Sequence, residues 1–269
     1  MKRNKNKGPK ILLLDIETCP ILAHVWAIWD QNIGLNQIKS DWYILSWSAK
    51  WFDSKEIMYM DQSKVKDIED DSKLLKAIWK LIDQADIIVT QNGKSFDHKK
   101  LNARFILNGM QPPSPFKIVD TLLIAKAKFG FTSNKLEYLS AKLTPEVKKL
   151  TDKDKEFPGF ELWKQCILRN KRAWAEMKRY NKQDVLALEA VYKRLLPWNS
   201  DINYNLYDDR ETNSCNSCGS DNLIQNGHSY LSTGKYKKYK CKDCGHSMRD
   251  KINEFSKEKR KTLKANVKS

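Results

Sequence analysis

Apolar positions along this chain group first into short continuous runs and then into runs with helical spacing. Ile11–Leu14 is an unbroken apolar block, the mark of a central strand covered on both faces. The apolar and aromatic stretches His24–Trp29 and Trp42–Phe52 predict further strands in a meander, and Glu56–Met60 predicts another. In Asp71–Ile82, Leu74, Leu75, Ile78, Trp79 and Ile82 recur at helical spacing, so this face should pack on the sheet. Asp86–Thr90 reads as a second buried strand, followed by the turn pair Asn92-Gly93 and a helix over Phe96–Leu107. Pro112, Pro113 and Pro115 end that unit, and Phe116–Val119 is a further short strand. Helices are predicted over Thr121–Ala127, Lys135–Leu143, Glu161–Leu168 and Lys171–Leu196. These elements assign residues 1–198 to one α/β domain. Residues 199–214 have almost no apolar periodicity and read as a linker. A cysteine-rich module over 215–249 and a basic tail over 250–269 follow.

Composition narrows the partner. The chain has 269 residues, is 41% hydrophobic and carries a formal charge of +16, far more than solubility requires. Such an excess points to a polyanion, of which nucleic acid is the commonest; solvated lysine faces are the plainer explanation. The basic start MKRNKNKGPK precedes only four apolar residues before Asp15, which does not make a secretory signal. No run approaches the roughly 18 apolar residues of a membrane span. The expectation is a soluble, intracellular protein, cytoplasmic or nucleoid-associated. Of six cysteines, four are closely paired near the carboxyl end while Cys19 and Cys166 stand alone, a pattern that favours metal over disulfides.

Four carboxylates are the candidate chemistry. Asp15 and Glu17 end the first apolar strand, where a period of two puts both on one side with Ile16 turned to the core. Asp97 follows Phe96 at a helix start, where negative charge is favoured and a capping role is the simpler alternative. Asp184 lies one helical turn after Tyr180, which stacks phenol and carboxylate on one side. Held together, four acids would repel one another and take up protons, and divalent ions would offset that repulsion.

With DIET (Asp15, Glu17), NGKSFD (Asn92, Phe96, Asp97) and YNKQD (Tyr180, Asp184) in this order, residues 10–197 resemble the DEDD family of 3'–5' exonucleases, in its tyrosine branch. The resemblance implies a ribonuclease-H-like three-layer α/β fold with a central mixed sheet. It also implies two Mg²⁺ or Mn²⁺ ions on the acids, with Asp15 touching both, Glu17 and Asp184 on the nucleophile side and Asp97 on the leaving side. Tyr180 would orient the attacking water, and nucleoside 5'-monophosphates would leave from a 3' end. The partner it implies is nucleic acid, single-stranded DNA or a DNA 3' end, with a replication or repair protein as a further partner. Proofreading or repair in a phage or bacterium fits this reading, in the host cytoplasm if phage-encoded. An RNA exonuclease, a structure-specific endonuclease of the same fold and a non-catalytic nucleic-acid-binding protein are the alternatives.

Around the second motif, Asn92, Lys94, Lys99, Lys100 and Arg104 are candidate substrate contacts. Trp26, Trp29, Trp42, Trp47 and Trp51 follow the first acid pair and are divided between core packing and base stacking. Residues 129–155 read either as a loop over the substrate or as a solvated insertion. Near the carboxyl end, Cys215, Cys218, Cys241 and Cys244 form two CxxCG knuckles, the spacing of one tetrahedral structural Zn²⁺ site. With the shell filled, His228 and His246 are expected not to be ligands. The module resembles zinc ribbons of phage and transposase-like proteins. Residues 211–269 hold 13 Lys or Arg against 6 Asp or Glu, which suits phosphate binding or protein docking alike.

Overall fold

The apolar run at Ile11–Leu14 opens the central strand of a five-stranded sheet in the computed structural model, which describes residues 8–265. The basic residues 1–7 and the last four residues of the predicted tail lie outside the described residues. One compact unit comprises Lys10–Tyr192, and the described residues flanking it in sequence form a second.

In the first unit the strands are β1 (Ile11–Thr18), β2 (Leu22–Ala23), β3 (Ile38–Ser40), β4 (Ile44–Trp51) and β5 (Met58–Asp61). Then come α1 (Ser72–Ile82), β6 (Ile87–Thr90), α2 (Asp97–Leu107), β7 (Lys117–Asp120) and α3 (Thr121–Lys128). The helices α4 (Leu136–Leu143), α5 (Glu161–Ile167) and α6 (Lys171–Leu195) follow. The main sheet runs β5-β4-β1-β6-β7, with β1 antiparallel to β4 and parallel to β6. This mixed sheet is consistent with the expected ribonuclease-H-like α/β class.

Alternation along β1 divides the core. Leu12, Leu14 and Ile16 pack with Leu74, Leu75, Ile78 and Ile82 of α1 and Leu101 and Phe105 of α2. Each fully buried Leu or Ile contributes roughly 1.5–3 kcal/mol, which holds the short α1 to the sheet. A second cluster joins Tyr43 and Leu45 to Leu162 and Cys166 of α5 and to Ala173, Trp174, Met177 and Tyr180 of α6. Asp15 and Glu17, offset by one residue from the first set, are left on the opposite side of β1. Two buried ion pairs tie elements distant in sequence: Lys50 with Glu189, and the Arg104 fork with Asp71 at 2.7 and 2.8 Å. The Asp71 carboxylate also accepts the Ile44 N–H at 2.9 Å.

One predicted strand is absent. Only Leu22–Ala23 pairs, with Ile38–Ser40, and the expected strand over His24–Trp29 does not form. Asp30 takes a left-handed backbone at φ 51°, which ends any extended run, and Trp26 and Trp29 are 97% and 81% exposed. Trp47 has the other fate: it is buried, and its indole N–H donates to the Leu74 carbonyl at 3.1 Å.

The second unit holds the strands β8 (Leu223–Leu231), β9 (Gly234–Cys241) and β10 (Ser247–Arg249), in the antiparallel order β10-β9-β8, and the short helix α7 (Lys257–Thr262). Residues 199–214, expected as a linker, carry a short helical turn at Tyr204–Tyr207. Ile202 and Tyr204 are buried, and the Tyr204 N–H donates to the Asn216 carbonyl at 2.7 Å. Among the described residues no helix is long and apolar enough to cross a membrane.

Candidate metal centres

The end of β1 and the middle of α6 bring three acids together. One carboxylate oxygen each from Asp15, Glu17 and Asp184 lies within 4.8 Å of the others. Asp184 is 1% exposed, and its Oδ1 is buried without a hydrogen-bond partner. A buried carboxylate oxygen left unpaired beside two further carboxylates is costly unless a cation takes it up, so this donor set fits a hard divalent ion. Asp97 stands apart from this group: at the start of α2 it is buried, and its Oδ1 accepts the Ile16 N–H at 3.2 Å. The fourth acid therefore braces the strand that carries the first two.

Electrostatics agree with the geometry. Burial, then the charges of Asp184, Glu17 and Asp97, hold the Asp15 carboxyl well above its ordinary range. Burial and Asp184 push Glu17 up to about 8. Burial raises Asp97 to about 7, against the backbone N–H groups it accepts. Asp184 is raised by burial, with Lys149 pulling the other way. Like charges packed together in a desolvated pocket favour the protonated acids until a cation arrives.

Lys149, Asn181 and Trp163 also border this site. Lys149 donates to the Tyr180 hydroxyl at 2.9 Å and to Asp184 Oδ2. Burial alone would lower this ammonium, but Asp184, Tyr180 and Asp15 hold it above its ordinary range. Lys149 is kept in place because its N–H donates to Ser140 Oγ at 3.1 Å and Gln183 donates to the Lys148 carbonyl at 2.7 Å. The segment 129–155 thus contributes a cation to the acids, and its charge was the available signal. Asn181 Nδ2 donates to Asp15 Oδ2 at 2.5 Å, while Asn181 Oδ1 accepts Ser46 Oγ at 3.3 Å, which fixes the rotamer of Asp15. Trp163 meets the Tyr180 ring edge-on at 5.9 Å between centroids. Burial raises the Tyr180 phenol, so it stays protonated.

The loop before Asp97 is shaped by Asp120, whose carboxylate accepts from Asn92 N at 2.8 Å, Lys94 N at 3.2 Å and Leu122 N at 3.0 Å. Asn92 is left-handed at φ 68°, and a Cβ on Gly93 would stand 2.1 Å from Thr90 Oγ1, so this turn admits only glycine there. Asn92, Lys94 and Lys99 are exposed. Lys100 sits 3.6 Å above the Trp42 ring, and Arg104 is committed to Asp71. Trp42 is therefore a partly buried partner for two of the expected substrate contacts.

In the second unit the sulfurs of Cys215, Cys218, Cys241 and Cys244 lie within 4.8 Å of one another. Cys215 and Cys244 are 3.6 Å apart, Cys218 and Cys241 3.7 Å, and all four are free thiols. Sulfurs about 2.3 Å from one tetrahedral ion would stand about 3.8 Å apart, so the spacing fits a Cys₄ metal site and is far too long for disulfides. Gly219 at φ 75° and Gly245 at φ 82° supply the left-handed residue that lets each knuckle fold back. Hydrogen bonding from Cys218 lowers the Cys215 thiol to about 5, and burial raises Cys244 to about 11. His246 Nδ1 meets the Pro197 carbonyl at 2.7 Å, and His228 pairs with Glu254 at 2.8 Å, so both imidazoles are engaged outside the sulfur group.

The RNase_H_2 family, described as RNase_H superfamily, matches residues 33–196 of this chain. That span includes Asp97, Tyr180 and Asp184 and begins after β1. The chain is similar at 16% identity, with a TM-score of 0.48, to the structure of the family B DNA polymerase from the hyperthermophilic archaeon Pyrobaculum calidifontis. The likeness covers 71% of this chain and 25% of that one, so the chain spans about a quarter of the polymerase's length. No curated protein matches it.

Proposed function

The chain belongs to the RNase_H superfamily, and on that premise we propose that it is a metal-dependent 3'–5' exonuclease of the tyrosine branch of the DEDD group, acting on DNA 3' ends. The observation that carries this reading is the convergence of Asp15, Glu17 and Asp184 oxygens within 4.8 Å, with Asp184 Oδ1 buried and unpaired beside the Tyr180–Lys149 contact. Membership of the superfamily supports nucleic acid as the partner. A nuclease of this composition would also use its excess of +16 to gather a polyanion.

Asp15, Glu17 and Asp184 would hold Mg²⁺ or Mn²⁺, with Asp97 bracing β1 through the Ile16 N–H, and bound ions of this kind would supply charge stabilisation for the attacking and departing oxygens of a phosphodiester. The chain's own residues account for the remainder. Asn181 holds Asp15 in one orientation. The protonated Tyr180 hydroxyl orients a water molecule through its hydrogen bond. Lys149, held on Asp184 and Tyr180, would put a positive charge beside the negative charge that grows on a phosphate bound at these acids, the electrostatic contribution that counts most in such reactions. Asp120 keeps the Asn92–Lys94 turn in place, and with it the start of α2. The Cys₄ module holds one structural Zn²⁺ in this reading and adds a second hold on the nucleic acid.

The decisive experiment incubates the protein and an Asp184→Asn variant with 5'-labelled and 3'-labelled single-stranded DNA and RNA, with Mg²⁺ or Mn²⁺. A shortening ladder from the 5' label and immediate mononucleotide from the 3' label are expected on DNA, with the variant slower by at least about 1,000-fold, roughly 4 kcal/mol. Internal cuts, or equal rates for both proteins, rule the assignment out. Faster loss of RNA than of DNA would transfer the same chemistry to the other substrate.

A further inference from the structure

The register of the small sheet sorts its charges onto two faces. On one face β9 presents Tyr236, Lys238 and Lys240, with Arg249 of β10 directly opposite Lys238, Ser247 opposite Lys240, and Ser229 of β8 opposite Tyr236. On the other face lie Lys235, Lys237, Tyr239 and Cys241, with His228 opposite Lys237. This second face has acids of its own. Glu254 stands 2.8 Å from His228 Nε2 and 4.0 Å from Lys235 Nζ, and Asp250 accepts the Tyr239 hydroxyl at 3.3 Å.

The first face has none. Among the described residues no carboxylate forms an ion pair with Lys238, Lys240 or Arg249. Like charges directly opposite one another in a sheet are destabilising, and the Lys238–Arg249 pair is such a pair left without a counter-ion. Same-face residues two apart on a strand are separated by about 6.8 Å, so the three cations fall within one short stretch of any anionic polymer laid across them. Arg249 is also held to this face: its guanidinium stacks 4.3 Å from the centre of the Tyr236 ring. That ring lies back over Gly234, where a Cβ would come within 2.5 Å of the Tyr236 ring and hydroxyl, so the hairpin keeps a glycine to seat it. Lys240, Ser247 and Arg249 are exposed and Lys238 is half-buried.

We propose that this acid-free face, and not the opposite one that carries Glu254 and Asp250, is the surface by which the second unit holds nucleic acid, through the phosphate backbone. The proposal rests on the reading of the chain as a nucleic-acid enzyme and assigns the module's share of binding to Lys238, Lys240 and Arg249. Cations left uncompensated in the free protein gain most from phosphates and release counter-ions on contact. Backbone contacts of this kind carry no base specificity.

The test measures binding of labelled single-stranded DNA to the full-length, zinc-loaded chain by fluorescence anisotropy across a salt series, in the presence of EDTA-free buffer without Mg²⁺ or Mn²⁺. K238Q/K240Q/R249Q should bind about 10-fold more weakly at 0.1 M salt, with a shallower slope of log affinity against log salt by about 2. K235Q/K237Q, which removes the same kind of charge from the opposite face, should stay within 3-fold of the unaltered chain. Zinc content and melting temperature of both variants report that the module is folded. Equal weakening by the two variants, or undiminished binding by the triple variant, overturns the proposal, and the latter result leaves the face to an acidic protein. The digestion of labelled DNA by the unaltered chain decides the reaction separately: a chain that binds through this face but degrades nothing keeps the surface and loses the exonuclease.

Discussion

The two ligand clusters of this chain solve the problem of gathering repelling groups in opposite ways. Asp15, Glu17 and Asp184 come from the two ends of the first unit and meet only because β1 and α6 are packed into one core. Cys215, Cys218, Cys241 and Cys244 lie within thirty residues, on two knuckles that each present a pair by local geometry alone. The acid site is thus a product of its fold, held even without an ion by Asn181, Lys149 and the Ile16–Asp97 hydrogen bond. In the cysteine module the dependence is reversed. Its strands bury little apolar surface, so an ion held by the four sulfurs would supply much of the energy that a core supplies elsewhere.

The largest test of this contrast is removal of the cysteine ligands. Cys215→Ser with Cys241→Ser, or strong chelation, should remove a structural ion whose binding in such modules is worth about 10–16 kcal/mol. The second unit should then be digested by protease while the first keeps its cooperative melting. A chain that melts as one body, or a second unit that stays resistant without metal, breaks the comparison.

Next in size is a break in the core that touches neither cluster. Glu189→Gln leaves Lys50 buried opposite a neutral amide and should cost about 3 kcal/mol in denaturant unfolding of the first unit. Zinc content should not change. A shift under about 0.5 kcal/mol would mean that water reaches this pair and that the core is looser than its packing implies.

Acidity gives a smaller and signed effect. Asp15, Glu17, Asp97 and Asp184 all hold protons more tightly in the folded chain than in the unfolded one, where carboxyls titrate near about 4. Between about pH 4 and the folded values, about 7 for Asp97 and about 8 for Glu17, the folded state carries the extra protons. Its metal-free stability is therefore greatest at the acid end and declines as pH rises through this window. Thermal melts in a chelator should fall between pH 5 and pH 8, and Mg²⁺ or Mn²⁺ should raise the melting temperature more at pH 8 than at pH 5. Melts that rise across the window without metal would refute the picture of unneutralised buried acids.

Smallest of all, Trp26→Ala should change stability by less than about 0.5 kcal/mol, because this side chain is 97% exposed. The matching change at Trp47 should cost about 3–5 kcal/mol.

The tryptophans mark where the sequence was and was not readable. Period two along Ile11–Glu17 put the acids on one face and the apolar residues on the other, and helical spacing placed Tyr180 beside Asp184, because those rules act within single elements. The CxxCG knuckles were plain for the same reason. Lys149, Asn181 and Asp120 were not, since each gains its role from a partner between 26 and 166 residues away, and no local pattern separates such a residue from an ordinary surface one. The missing strand at His24–Trp29 is the complementary case: the residues suit a strand, but beyond the His24–Gln37 hydrogen bonds they join no ladder. Arg104, read as a phosphate contact from its charge, faces a buried Asp71 that only the packing of α1 against α2 could bring to it.

The distance along the chain between the two halves of the acid cluster also matters while the protein is being made. At the usual 5–20 residues per second, many seconds separate the synthesis of Asp15 from that of Asp184. Throughout that interval β1 can pair with β4 and β6, yet the pocket lacks the helix that brings Asp184, Tyr180 and Asn181. The set of three acids is therefore incomplete on any nascent chain that has not yet reached α6.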